Sequence, residues 1–324
     1  MNNREIITMG RIQAQQTSRR TGVKTTSIKH WLDQVAAKVK KTAPQLMPAF
    51  LVHRHEAEFA RAWLADDIKK LNQYRGKVRL LEIGAGSFLL ACQLQREGFA
   101  VIALEPVAPA YANLAPLQKI VLELARAGGF QPTVKQCTIE HYKPTNTCDM
   151  AYSVNVMFQL RLRPALKNIM AALKPDGYYH FLCTNYAFPY EPDFHIPNLG
   201  SKKLTGWVFR KKIFAPHALH YKKEVTDPYH YWHSLNWITP MKIKRIMRAM
   251  GHQRISFRRD FIITALKRVF HDPEFSARHG LIVVSIIKLL FATRLIYLFS
   301  ALPAACQPVI DCVIMNNRTL PAPD

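Results

Sequence analysis

An α/β fold is predicted, with a mainly parallel sheet and helices on both faces, and three observations carry it. Over residues 78–183, short strand-like runs alternate with stretches of helical period, the pattern that βαβ units produce. A turn of small residues, Gly84-Ala85-Gly86, joins one such strand to the helix that follows. The chain has 324 residues, of which 49% are hydrophobic, enough for one large core with additions.

The elements follow in order. Residues 1–25 are rich in Gln, Thr, Arg and Asn without usable periodicity and read as a basic disordered arm. From Thr26 to Lys41 and from Phe50 to Leu71 apolar residues recur at three and four, so residues 26–75 are expected to form a helical cap. Strands are expected over Val78–Ile83, Phe99–Glu105, Thr133–Cys137, Asp149–Val154 and Gly177–Cys183. Between them, Phe88–Arg96, Pro109–Ala127 and Arg163–Leu173 have helical character.

After Cys183 the pattern stops. Residues 184–238 are crowded with aromatic, His and Pro residues, which suggests a loop-rich insertion over the functional edge of the sheet. A helix restarts at Thr239, an N-cap with Pro240 at its first position, and closes at Gly251. A strand near Ile255, an apolar helical insertion over residues 262–305 and a last strand over Pro308–Met315 complete a seven-stranded sheet. Residues 76–324 therefore read as one domain carrying two insertions.

The formal charge of +23 is unevenly placed. Residues 1–50 hold 9 Lys/Arg against 2 Asp/Glu and residues 201–270 hold 16 against 3, while residues 71–200 hold 12 against 9. The excess flanks a nearly neutral centre, where it can meet an anionic surface, lipid headgroups or nucleic acid; a solvated basic surface is the plainer alternative. The six cysteines form no CxxC pair and have no paired His spacing, so neither a zinc site nor a disulfide framework is expected, and no metal is assigned. That usage fits a reducing compartment, and no apolar stretch precedes Trp31, so a secretory signal is not expected. A cytoplasmic protein, peripheral to a membrane, is the expected setting.

The Gly84-Ala85-Gly86 turn lets backbone approach a ligand closely, and the amides of the helix behind it offer donors. Glu105 ends the next strand, 21 residues after Gly84, where an acidic side chain can accept from both ribose hydroxyls. A dinucleotide fingerprint would also need glycine at position 89, which is Leu, so an adenosine ligand without phosphates fits better.

"LEIGAGSF" with Glu105, "CDMAYSVNVM" at the fourth strand and "LKPDGYYHFLCTNY" at the fifth resemble the class I S-adenosylmethionine-dependent methyltransferases, over about Val78 to Met315. The resemblance implies a Rossmann-like sheet and S-adenosyl-L-methionine as cofactor. It places Glu82, Gly84, Ala85 and Gly86 along the methionine part, Glu105 and Pro106 at the ribose, Gln136, Cys137 and Thr138 beside the adenine, and Asn155 at the sulfonium end. Two departures stand out: Phe88 occupies the place of the family's third glycine, and Phe158-Gln159 replaces the Glu-His often found after the fourth strand.

The loops after strands four and five should meet the acceptor, which nominates Asn185, Tyr186 and Glu191 for substrate binding. Transfer to a hydroxyl needs a base, and the imidazole pKa of ~6.5 suits one. His195 is the first candidate, with His233 and His230 behind it and Tyr190 as a further catalytic candidate.

Leu281–Leu302 is long enough to span a bilayer and carries only Lys288 and Arg294, but the strand after it must rejoin the sheet, so a span is not expected. It packs on the domain or on a second copy, forming a homodimer, or it lies in a membrane interface. The interleaved basic and aromatic residues of Arg210–Lys223 favour the interface, and also suit RNA. The expected activity is O-methylation of a lipid, lipid-linked or glycan-type acceptor near a membrane. Two alternatives stand beside it: an RNA methyltransferase, and a cofactor-binding scaffold without catalysis. Against RNA, "SVNVMF" stands where an Asn/Asp-Pro-Pro-Tyr motif would be.

Overall fold

The structure, a computed structural model, describes residues 27–74, 78–106, 114–215, 218–219, 227–259 and 261–316. The expected basic arm of residues 1–25 lies outside the described residues, as do residues 109–113 of the expected helix from Pro109 and parts of the 210–223 basic stretch.

The chain opens with α1 (Ile28–Thr42), α2 (Met47–Trp63) and α3 (Ala65–Leu71). It continues through β1 (Arg79–Ile83), α4 (Leu89–Arg96), β2 (Ala100–Leu104), α5 (Ala115–Ala127), β3 (Thr133–Lys135), β4 (Cys148–Val154), α6 (Leu162–Ala172) and β5 (Leu173–Thr184). The insertion after β5 holds a small hairpin, β6 (Tyr190–Glu191) and β7 (Ile196–Pro197), and three short helices, α7 (Lys202–Val208), α8 (Arg210–Ile213) and α9 (Pro228–Ser234). Then follow α10 (Pro240–Ala249), β8 (Ile255–Arg258), α11 (Phe261–Leu266), α12 (Pro273–Ala292), a 3-10 segment (Leu295–Ser300) and β9 (Val309–Met315).

Seven strands form one sheet in the order β3-β2-β1-β4-β5-β9-β8. The pairs from β3 to β5 are parallel, and β9 runs antiparallel to both β5 and β8. The chain reverses its direction of travel across the sheet between β1 and β4, and the crevice at such a switch point is where open α/β sheets bind ligands. One core of Leu32, Trp63, Leu89, Val121 and their neighbours joins α1–α5 to one face. A second core, around Phe158, Leu166, Trp232 and Met247, covers the other face with α6, α10 and the insertion after β5. The strands are thus buried on both faces, as a parallel sheet requires.

The starts of α1 and α10 are capped by side chains. Ser27 accepts from the amide of Lys29 at the start of α1, and Lys40 and Lys41 lie in its last turn. Thr239 caps α10 through the amide of Lys242, with Pro240 behind it. One expected helix, Phe50–Leu71, is two: the chain breaks at Leu64, a fully buried residue with ψ near 1°, and α3 turns onto the sheet.

α3 is locked there by a buried charge network. His180 on β5 bonds the Asp67 carboxylate (2.8 Å) and the Asp311 carboxylate on β9 (2.7 Å), and Arg258 on β8 donates twice to Asp67 (3.2 Å each). Burial would raise the Asp67 carboxyl, but His180 and Arg258 outweigh it and hold it at about 2.

The apolar segment is not one rod. α12 kinks at Gly280, whose φ of 73° lies in the left-handed region. A Cβ there would stand 3.3 Å from His195 Nδ1, so the small residue also lets the β6–β7 hairpin approach. Its inner face packs with α11 and the 3-10 segment as a third core of Ile262, Leu266, Val284, Ile287 and Ile296. Among the described residues, no helix is long and apolar enough to cross a membrane.

Candidate active site

The glycine turn between β1 and α4 is stitched to the end of β2: the amides of Gly84 and Ala85 both donate to Leu104 O, at 2.9 and 3.0 Å. Gly84 has φ 72°, and a Cβ there would stand 2.4 Å from a Val156 methyl, so no other residue fits. The amide of Gly86 donates to Glu105 Oε2 at 2.8 Å, and Gln118 Nε2 on α5 donates to Gly86 O at 2.7 Å. Phe88, in the place of a third glycine, keeps the left-handed backbone (φ 64°) while burying its ring. The turn therefore retains its geometry at the cost of local strain.

A cavity lies against this turn, walled by Glu82, Gly84, Ala85, Gly86, Asn155 and, from α2, His53 and Glu56. Buried Glu82 Oε2 has no hydrogen-bond partner. Burial, opposed by the Tyr152 hydroxyl beside it and aided by the charge of Glu105, pushes the Glu82 carboxyl up to about 8. A buried acid with one oxygen unbonded suits a ligand that brings a cation. A Cβ on Gly86 would meet nothing within 4 Å, so that stretch of backbone faces open space. Asn155 holds φ 57° just past β4, its amide donating to Leu182 O. These features fit S-adenosylmethionine, whose methionine end carries an ammonium and a sulfonium.

Glu105 is half-buried, and burial raises its carboxyl against the opposing bond from Gly86 and the charge of His53. Pro106 lies beside it. Gln136, Cys137 and Thr138 follow β3 at the same edge, next to Lys135, whose carbonyl accepts from the Glu105 amide.

A second cavity, about 580 Å³ in volume, shares Glu56, Phe59, Asn155 and Arg268 with the first. Its remaining walls are mostly apolar: Ile262 and Leu266 of α11, Val283, Ile286, Ile287 and Leu290 of α12, and Ile296. Thr184, Tyr190 and His279 supply polar edges, and the Tyr190 hydroxyl donates to His279 O at 2.9 Å. At the junction, Arg268 lies over the rings of Phe59 and Phe275 and donates to Asp272 Oδ2 at 2.7 Å. Glu56 Oε2 stands 3.2 Å from His53 Nδ1.

Of the acceptor-side candidates, Tyr190 lines this cavity, and the others do not. The Asn185 amide is spent on the carbonyls of Ala304, Ala305 and Gln307, pinning the approach to β9. Tyr186 is buried and stacks on Trp237, and buried Glu191 accepts from the amide of Phe194 inside the hairpin turn. Buried polar groups need partners, and Asn185 and one oxygen of Glu191 find them in the scaffold. His195 turns the hairpin at φ 52°, its carbonyl accepting from Lys212. His233 is exposed, stacked on Phe214 and tilted against Tyr229, and His230 is exposed on the same helix. The polar groups at the junction come instead from α2 and from the segment after α11. In the sequence their only mark was helical period beside a basic run.

A profile described as a methyltransferase domain matches residues 81–181, the span from β1 to β5. With the strand order and the site, this makes the chain a member of the class I S-adenosylmethionine-dependent methyltransferases. It is also 37% identical over 282 residues to the uncharacterized protein Rv1509 of Mycobacterium tuberculosis H37Rv, covering 87% of this chain and 92% of that one. The chain belongs to the same family as that protein. Among solved structures, it is similar to Haemonchus contortus phosphoethanolamine N-methyltransferase 2 (14% identity, TM-score 0.43, 86% of this chain and 58% of that one). A second is an S-adenosylmethionine-dependent methyltransferase from Clostridium acetobutylicum (15% identity, TM-score 0.32, 38% and 50%).

Proposed function

We propose that this methyltransferase acts on a hydroxyl oxygen of an amphiphilic, lipid-linked acceptor. One observation carries the reading: the cavity that meets the cofactor cavity is walled by aliphatic side chains from α11, α12 and Ile296, with polar groups gathered at the junction. Such a cavity accepts an apolar chain and turns a polar head towards the cofactor. A free glycan or an RNA base would strand its hydroxyls and amides against Ile262, Leu266 and Leu290, which cannot bond them.

S-adenosylmethionine supplies an electrophilic methyl group on sulfur. Glu82 and the glycine turn would hold its methionine part, and Glu105 its ribose. Glu56 is placed to take the acceptor's hydroxyl proton, with His53 steadying the carboxylate. Arg268, fixed by Asp272 and two rings, gives the junction a stationary positive charge. In-line placement of acceptor and methyl group supplies much of the rate in such a transfer, and the rigid walls serve that placement.

The test is to feed the protein cofactor and three fractions of a cell extract, organic-soluble, RNA and water-soluble, and to follow release of S-adenosylhomocysteine. Turnover driven by the organic-soluble fraction is expected. Turnover driven by RNA establishes the nucleic-acid alternative, and cofactor binding without turnover in any fraction establishes the scaffold alternative.

A further inference from the structure

The outer side of α12 and the 3-10 segment after it form an apolar surface where a compact domain would be polar. Leu281 is 87% exposed, Ile282 78%, Leu289 63% and Leu298 61%. Leu295, Tyr297 and Phe270 extend the same exposed surface. Contiguous exposure of this kind marks a contact surface.

Its charges are of one sign. From Phe275 to Ile310 the sequence holds no Asp or Glu, while Lys288 and Arg294 are exposed within the patch and Lys267 and Arg259 beside it. A twofold dimer through this face would set like charges against one another with no carboxylate between them. An anionic lipid surface pairs with them instead, and takes the leucines and isoleucines into its acyl boundary.

The patch is also continuous with the acceptor cavity. Ile286 is 52% exposed and lines that cavity at the outer edge of the helix face that it shares with Val283, Ile287 and Leu290. α12 is therefore the partition between the cavity and the outside.

We infer that α12 and residues 295–300 dock into the interface of an anionic membrane, so that an amphiphilic acceptor enters the cavity sideways from the leaflet past Ile286. This rests on the acceptor reading above and adds the partner to it. No bilayer crossing is involved: the helix lies along the interface, kinked at Gly280, and β9 returns to the sheet on the same side.

The experiment is flotation of the full chain at low salt with vesicles of phosphatidylcholine, with and without phosphatidylglycerol. The protein should rise with the phosphatidylglycerol vesicles, and added salt should weaken this. The pair Leu281→Asp with Ile282→Asp, and separately Lys288→Glu with Arg294→Glu, should each cut the bound fraction roughly tenfold or more. All four residues are exposed and off the cavity wall, so cofactor affinity by calorimetry should match the wild type and show that the variants are folded. Protein that stays at the bottom overturns the inference, as does flotation unchanged in both variants. A dimer by light scattering that Ile282→Asp splits assigns the patch to a second copy and also overturns it. Methyl transfer to detergent-dispersed lipid without flotation would remove the docking surface alone; flotation without any methylated lipid would remove the acceptor reading alone.

Discussion

Within the proposed cofactor site, Glu82 makes the sharpest prediction. Its carboxyl, raised to about 8 by burial, is largely neutral at pH 7, yet a cationic ligand binds the ionised form. Cofactor affinity should therefore rise as pH climbs from 6 towards 8, with proton uptake by the buffer visible in calorimetry. Glu82→Gln should flatten that rise and weaken binding by about 1.5–3 kcal/mol, the worth of a hydrogen bond to a charged group. A wild type with no pH dependence would remove Glu82 from the contact. Glu56→Gln should lower kcat by about 10²–10⁴ with cofactor affinity unchanged. Equal loss of binding would make Glu56 a structural residue. At Phe88 two effects compete: glycine would relieve about 1–2 kcal/mol of left-handed strain, but removing a buried ring costs about 3–5 kcal/mol. Phe88→Gly should thus lower the unfolding free energy in urea by a few kcal/mol.

The geometry of the glycine turn was legible because it is written in backbone conformation, which position relative to a strand end fixes. Asn185, Tyr186 and Glu191 make scaffold contacts that the sequence could not show, for a physical reason. A polar residue that anchors a loop and one that faces a ligand are the same letter, and only the partners tell them apart.

Among the elements, the seven strands of the main sheet and their order of appearance could be read from apolar runs and turn residues, while the β6–β7 hairpin could not. The docking of α2 and α3 could not, since helical period says which face is apolar but not which element it will meet. That docking brought His53 and Glu56 to the site. It depends on the buried network at Asp67, whose folded-state carboxyl is held below its unfolded value of 3.8. Its contribution is present above the unfolded pKa and is lost as pH falls through about 2. Asp67→Asn removes the carboxylate that Arg258 and His180 share and should cost about 3–5 kcal/mol, read by denaturant unfolding at pH 7. A near-neutral effect would mean that the cap is held by Trp63, Leu64 and Ile68 alone.

For the whole molecule, a nearly neutral sheet carries the cofactor site, and the two flanks build the rest. The N-terminal helices bring the polar groups of the junction, and α11, α12 and Ile296 bring the apolar walls. The net charge of +23 resides largely in those flanks, which is why composition pointed to an anionic partner before any site was visible. What composition and period left open was that the long apolar segment encloses a cavity: its inner and outer faces are both apolar, so it carries no amphipathic signature.

The measurement closest to the central claim follows label from the methyl group of the cofactor into a total lipid extract, with wild type and Val283→Phe side by side. Val283 lines the acceptor cavity and is only partly buried, so the larger ring fills the cavity without opening a core. The wild type should place the label in an organic-soluble product as a methyl ether. The variant should bind cofactor with unchanged affinity and transfer at least about tenfold more slowly, as the apolar part of the acceptor is shut out. Label recovered in RNA, or equal transfer by both proteins, would contradict the account.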